Sequence, residues 1–216
     1  MSTTIYITRH SIPMNMYPPI KNDDEFQTKN EKQILSVEGE KRAEKLSELE
    51  ELQDVDVVIS SNYVRAIATA KYVADKNDKD IIIQDDFGER KFGNINSYSE
   101  LPKDFFERQA KDETYKLPGG ESRMEVTERI FNALNYVLNE YKNKKIFIAT
   151  HGTALSCLFS KIAKVVFTDY KEYKMNLYFN DKLIFDDVRF DAPELFKLEL
   201  DENNKLTDLK NVKIKY

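Results

Sequence analysis

Apolar and polar positions along this chain fall into two rhythms. Four short runs, Ile5–Thr8, Val55–Ile59, Ile81–Ile83 and Ile146–Thr150, are dense in β-branched and aromatic residues and too brief for a globular helix. Runs that are apolar at nearly every position fit strands covered on both faces, as in a parallel sheet. Between them the period lengthens. From Ser36, a candidate N-cap, Val37, Ala43, Leu46, Leu49 and Leu52 make a stripe of roughly four helical turns. Ser60-Ser61 is placed to cap a second helix running to about Asp75. Glu121-Ser122 opens a third, to about Tyr141, with Val126, Ile130, Phe131, Leu134, Val137 and Leu138 inward. Gly152 leads into a fourth, from about Thr153 to Val166.

Other stretches lack either period. Ser11–Lys32, with Pro13 and the adjacent Pro18-Pro19, reads as a long loop. Asn94–Lys116 mixes charges with Tyr98, Phe105, Phe106 and Tyr115, holds at most one short helix, and is broken by Pro118-Gly119-Gly120. These aromatics are expected to pack a lid rather than stack on a ligand. Thr168–Tyr216 alternates short apolar and charged runs, and Leu195–Leu200 followed by Asp201–Leu206 predicts a hairpin. Strands alternating with helices and closed by a hairpin predict one α/β domain over residues 1–216, with a largely parallel sheet.

Composition narrows the function classes. The 216 residues are 41% hydrophobic and 33% charged, enough for a core and a hydrated surface. A net charge of -5 argues against nucleic acid or an anionic membrane as partner, because both need a basic face. No apolar run reaches the length of a membrane span, and no secretion signal precedes Ile5. The single cysteine, Cys157, excludes an internal disulfide framework and fits a reducing cytoplasm. It lies in an apolar helix and reads as a small core residue. The acidic runs Asn22–Glu25 and Asp75–Asp86 read as solvated surface.

The chemistry gathers at element ends. Both histidines of the chain close a strand-like run, in Thr8-Arg9-His10 and in Thr150-His151-Gly152. Open parallel sheets bind ligands at the carboxyl ends of their strands, so the two rings are expected in one pocket. The plainer alternative is two unrelated histidines in loops or core. Arg65 sits in the first turn of the second helix, where a cation opposes the positive end of the helix dipole. Helix stability does not explain it, and an anion bound in front of the helix does. Glu89 follows the third strand. Guanidiniums suit phosphoryl oxygens, a neutral imidazole is a competent nucleophile, and a carboxyl can pass a proton to a leaving oxygen. Two histidines and one cysteine give no cluster with metal-ligand spacing, so neither a metal nor another cofactor is expected.

In order along the chain, Thr8-Arg9-His10, Ser60-Ser61-Asn62-Tyr63-Val64-Arg65-Ala66-Ile67-Ala68-Thr69-Ala70, Glu89-Arg90-Lys91-Phe92-Gly93, Pro118-Gly119-Gly120-Glu121-Ser122 and Thr150-His151-Gly152 resemble the motifs of the histidine phosphatase superfamily, which includes phosphoglycerate mutases. Helix entry at Ser36 with Gly39 and Ala43 fits the same pattern. The likeness spans about Ile5 to Val166, leaving 168–216 as a strand-rich extension. It implies a three-layer sandwich, helices flanking the sheet as in phosphoglycerate mutases. It also implies a mechanism in which His10 attacks phosphorus and becomes phosphohistidine. Arg9, Arg65 and a protonated His151 would hold the equatorial oxygens, and Glu89 would protonate the leaving oxygen and then activate water. Arg90 and Gly152 join the implied phosphate- or substrate-binding set. Ser11 stands where the family has glycine, and its hydroxyl is a candidate phosphate ligand. Met16 holds the place of a family asparagine, with Asn15 one residue earlier as the candidate substitute.

The function these residues imply is a cytoplasmic, metal-independent phosphomonoesterase of the histidine acid phosphatase type, acting on a small phosphorylated metabolite, with a homodimer left open. A mutase needs extra cations and a closing lid, and Arg90 is the one mutase-like cation near a segment without an adjacent arginine pair. A non-catalytic phospho-ligand binder is the third reading, disfavoured because His10 and Glu89 are both present.

Overall fold

A computed structural model describes residues 2–15 and 25–216. Of the expected 11–32 loop, residues 16–24, with Met16 and Pro18-Pro19, lie outside the described residues, and Phe26–Glu31 form a short helix where only loop was expected. The elements follow in the order β1 Thr3–Arg9, α1 Phe26–Glu31, α2 Val37–Ser47, β2 Val57–Ser60, α3 Val64–Asn77, β3 Ile81–Ile83, α4 Phe105–Lys111, α5 Arg123–Glu140, β4 Lys145–Thr150 and α6 Gly152–Ile162. Five strands complete the chain: β5 Lys164–Asp169, β6 Lys174–Phe179, β7 Lys182–Val188, β8 Glu194–Leu200 and β9 Leu206–Val212.

The central sheet has the order β3-β2-β4-β1-β8-β9. Its first four strands run parallel, and β8 and β9 join antiparallel as the expected hairpin. Side chains of a strand alternate between faces, and both faces here are apolar. Ile5, Ile7, Ile146 and Ile148 pack with Ile130 and Leu134 of α5 and Leu155 and Leu158 of α6. Tyr6, Phe147 and Ala149 pack the other way, with Leu46 of α2 and Ala66, Ala70 and Val73 of α3. This is the three-layer α/β arrangement, and it explains why the strands read as unbroken apolar runs.

The parallel pairing fixes the site. Arg9 lies beside Thr150 in the β1–β4 register, and the His10 amide bonds the Thr150 carbonyl at 2.8 Å. Ser60 lies beside Ala149 on the other flank of β4. The carboxyl ends of β1, β4, β2 and β3 therefore share one edge of the sheet.

Some elements differ from expectation. Helix α2 ends at Ser47, and Leu52 is reached through a single 3₁₀ turn at Glu50–Leu52. Val37, the first residue of that expected stripe, is exposed. Helix α6 stops at Ile162, and Val165 and Val166 belong to β5. Three successive positions of Val, Val and Phe favour extended backbone, and β5 starts the antiparallel sheet β5-β6-β7. Met175, Leu177 and Phe185 of that sheet are buried in the main core, so the extension packs as part of the fold.

Candidate active site

Helix α2 and the segment after β1 are docked tightly. Ser36 caps α2 and also bonds the Ile12 carbonyl, through its amide at 3.0 Å and its hydroxyl at 3.2 Å. A Cβ on Gly39 would fall 2.1 Å from that carbonyl oxygen, so only glycine fits there. Ser11 is fully buried in the same contact. Its hydroxyl donates to the Gly39 carbonyl at 2.6 Å, and its amide donates to Thr69 Oγ1 at 2.9 Å. The Ser11 hydroxyl is therefore committed to α2, which corrects its expected role as a phosphate ligand.

The Ser11 carbonyl sets the state of the nucleophile candidate. His10 Nδ1–H donates to it at 2.7 Å, leaving Nε2 with its lone pair, where Arg65 Nε–H donates at 3.0 Å. Burial, then the charges of Arg65 and Arg9, holds His10 well below the ordinary imidazole range. At neutral pH its Nε2 is unprotonated. The ring of His151 lies 5.1 Å from that of His10 between centroids, with the planes at 63°.

Arg65 is the hub. Besides His10, it donates from Nη2 to His151 Nδ1 at 3.3 Å and from Nη1 to the Asn30 carbonyl at 2.5 Å. Its guanidinium also lies over the Tyr63 ring. With Nδ1 accepting, His151 donates its Nε2–H to Ser61 Oγ at 2.8 Å. Two assignments change as a result. His151 is neutral in this arrangement, kept so by burial first and by Arg65 next, against the expectation of a protonated ring. Ser61 serves His151 rather than capping α3, whose N-cap is Tyr63 without a side-chain bond.

Arg9 approaches from the other side. Its Nη1 donates to the carbonyls of Phe190 and Asp191, while its buried Nε–H has no acceptor among the described residues. Burial, then the neighbouring charge of Arg189, pulls Arg9 down to about 10, still charged at neutral pH. Glu89 stands at the start of α6, where both oxygens are held by backbone amides. Ala154 N–H and Arg90 N–H donate to Oε1 at 3.2 and 2.9 Å, and Thr153 N–H donates to Oε2 at 3.2 Å. A carboxylate there completes the exposed amides and complements the helix dipole. The loop carrying it is clamped by Arg129, which donates to the Asp86 and Gly88 carbonyls at 2.8 and 3.2 Å, and by Thr150 Oγ1 on the Phe87 carbonyl at 2.6 Å.

Arg9, His10, Glu89 and Gly152 line one cavity of about 300 Å³, and Arg65 and His151 hold His10 in its wall. Two expected contributors lie elsewhere. Arg90 is buried among Phe92, Phe105 and Phe106, with its charge centre 4.5, 5.2 and 5.3 Å from their ring centres, and donates from Nη1 to Gln109 at 2.6 Å. It ties the 94–116 segment to the core and does not line the cavity, because the aromatic cluster closes around it. Asn15 is exposed and likewise does not line it. Phe105 is fully buried, as expected of lid packing, whereas Phe106 reaches the cavity wall.

Sequence reasoning missed Thr153 and, from the C-terminal sheet, Lys171, Tyr173, Arg189 and Phe190, all of which line the cavity. No local signal marks them. Thr153 lies in the first turn of α6, the other four lie in connections of a mixed charged stretch, and Phe190 holds Arg9 through its backbone carbonyl. Cys157 is a free, buried core residue. Among the described residues, no three His, Cys, Asp or Glu side chains are grouped to hold a metal, and no helix is long and apolar enough to cross a membrane.

The sequence pattern of the histidine phosphatase superfamily (branch 1) matches residues 5–192. The chain belongs to this superfamily. It is 30% identical over 129 residues to the "Uncharacterized phosphatase PhoE" of Bacillus subtilis, covering 60% of this chain and 64% of that protein. It is also 30% identical over 135 residues to the "Probable phosphoglycerate mutase GpmB" of Escherichia fergusonii, covering 59% and 62%. The matched stretch is thus less than two thirds of either relative. Among solved structures, a mycobacterial glucosyl-3-phosphoglycerate phosphatase superposes with a TM-score of 0.67 at 13% identity, covering 98% of this chain and 97% of that one. At that identity the likeness concerns the fold. This superfamily member places its motif residues at the carboxyl edge of its parallel strands.

Proposed function

We propose that this superfamily member hydrolyses small phosphomonoesters through a phosphohistidine on His10, without a metal. The observation that carries the reading is the His10 ring itself. It is buried and neutral, its Nδ1–H is fixed on the Ser11 carbonyl, and its Nε2 lone pair is held among arginines. That is the state a nitrogen nucleophile needs. In the first step Nε2 attacks phosphorus as the ester P–O bond breaks, and the departing oxygen takes a proton from Glu89. In the second, Glu89 takes a proton from water, whose oxygen bonds phosphorus. The N–P electron pair returns to Nε2 and inorganic phosphate leaves. Arg65 exchanges its bond to Nε2 for the phosphoryl oxygens, Arg9 supplies its unpartnered Nε–H, and both stabilise the charge spread over those oxygens.

A mutase reading would draw on Arg90, and its enclosure by three phenylalanine rings removes that support. The test is phosphate release from p-nitrophenyl phosphate together with trapping of an acid-labile phosphoryl group on the protein. Both are expected in the native chain and absent in His10→Ala. Release at undiminished rate from His10→Ala would refute the proposal.

A further inference from the structure

The cavity wall supplied by the C-terminal sheet is cationic and built. The Met175–Val188 pairing sets the turn before β6 beside the end of β7. Lys171 and Tyr173 in that turn thus meet Arg189 at one end of the sheet, and all three line the cavity with His10. That end is pinned at two points. The Tyr173 hydroxyl accepts a 2.6 Å bond from buried Arg123 and lies 3.0 Å from Ser156 Oγ. Phe190, next to Arg189, is buried in the main core, and its carbonyl receives Arg9 Nη1.

Among the described residues neither Lys171 nor Arg189 forms a salt bridge, although the Asp169 carboxylate, which accepts from the Lys171 amide at 2.8 Å, lies within electrostatic reach of the Lys171 side chain. Arg189 instead bears on Arg9, a like charge. A fold gains nothing from crowding cations around a cavity, and the arrangement makes sense for anion capture. Arg9, Lys171 and Arg189 line the cavity, Arg65 stands behind His10, and Glu89 is the one acidic side chain of the lining. With Glu89 carrying the proton that the leaving oxygen takes, these cations outnumber the two negative charges of a phosphomonoester dianion.

We propose that Lys171 and Arg189 form a second anion subsite, so that the preferred substrate is a small phosphomonoester carrying a further acidic group. This deepens the phosphoesterase reading and rests on it. The cavity, about 300 Å³, admits a small phosphomonoester with a short carbon skeleton. The acid would lie against the C-terminal sheet while the phosphoryl group faces His10.

The test compares kcat/KM of the full chain for 2-phosphoglycolate, 1,3-propanediol bisphosphate and glycerol 1-phosphate, in the native protein and in a Lys171→Met/Arg189→Met variant. The native protein is expected to prefer an acidic ester over glycerol 1-phosphate, with the first two substrates distinguishing carboxylate from phosphate. The variant should lose that preference by about ten-fold or more, the usual effect of removing a charge-assisted contact. An equal loss on all three esters would assign the two cations to the scissile phosphoryl group and overturn the proposal, as would an unchanged ratio. Calorimetric binding of the same three esters to His10→Ala, with and without the two substitutions, separates the two readings. Selective binding of the acidic esters, erased by the substitutions, would support the subsite even if no ester is hydrolysed. Indifferent binding would overturn it even in an active enzyme.

Discussion

Acid should destabilise this protein through its two buried imidazoles, and phosphate should oppose it. Burial, followed by the charge of Arg65, holds both His10 and His151 well below the ordinary imidazole range. The unfolded chain releases both to titrate at about 6.5. Above that pH neither state is protonated at these rings, and their neutrality costs nothing. As pH falls below it, the unfolded state takes up two protons that the native state refuses. Stability is then lost until the pH reaches the depressed native values. In that window each ring contributes a slope of about 1.4 kcal/mol per pH unit. The pair therefore removes roughly 3 kcal/mol between about pH 7.5 and 5.5, a large part of a typical domain's stability. Urea denaturation followed by circular dichroism at several pH values measures the loss, provided the slope with denaturant stays constant. Carboxylates also titrate towards the lower end, so the comparison that decides is with His151→Gln, which should halve the histidine share. Inorganic phosphate added to the native chain should flatten the slope, because an anion among the arginines favours charged rings. A variant with the native pH dependence would mean that folded and unfolded chains protonate His151 alike, refuting the neutral state assigned to that ring.

Two substitutions probe the supports of the site. Arg65→Lys keeps a charge but loses the planar fork that reaches both histidine rings, so kcat on p-nitrophenyl phosphate should fall about 100-fold or more; a loss below about three-fold would deny Arg65 its central place. Gln109→Leu deprives Arg90 of its side-chain acceptor and breaks two bonds to the Tyr115 and Glu121 carbonyls, so the free energy of unfolding should drop by about 3 kcal/mol, read from the urea midpoint.

The sequence carried the parallel strands because burial on both faces leaves a visible mark in the runs at Ile5, Val57 and Ile146, while the edge strand at Ile81 keeps its β-branched run although Ile82 and Ile83 are exposed. It also carried the helix starts at Ser36 and Ser122, where a side chain caps the backbone; Ser122 forms a full capping box with Glu125. The convergence of Arg9, His10, Arg65, Glu89 and His151 followed from motif order and strand ends. Where it misled, a residue had a partner distant in sequence. Ser61 turns to His151, 90 positions away, and Arg90 to an aromatic cluster assembled from separate segments. The helix at 153–166 was too long because Val165 and Val166 suit either state until β6 offers a pairing edge.

The extension is the larger lesson, since Arg9 cannot be understood without it. The motif puts Arg9 at the end of β1, but its orientation depends on two carbonyls from the stretch after β7, and backbone oxygens leave no trace in side-chain identity. The same stretch brings Arg189 close enough to depress Arg9, so one connection both aims the arginine and raises the cost of leaving the cavity without an anion. Phe190 makes this geometry rigid by burying its ring beside Phe159 and Phe196, the latter on the strand paired with β1. Shifting that ring would move the carbonyl with it. The residues of 168–216 that shape the cavity are thus read from packing, and changes outside the motifs, at Phe190 or Phe159, act on Arg9 through the core.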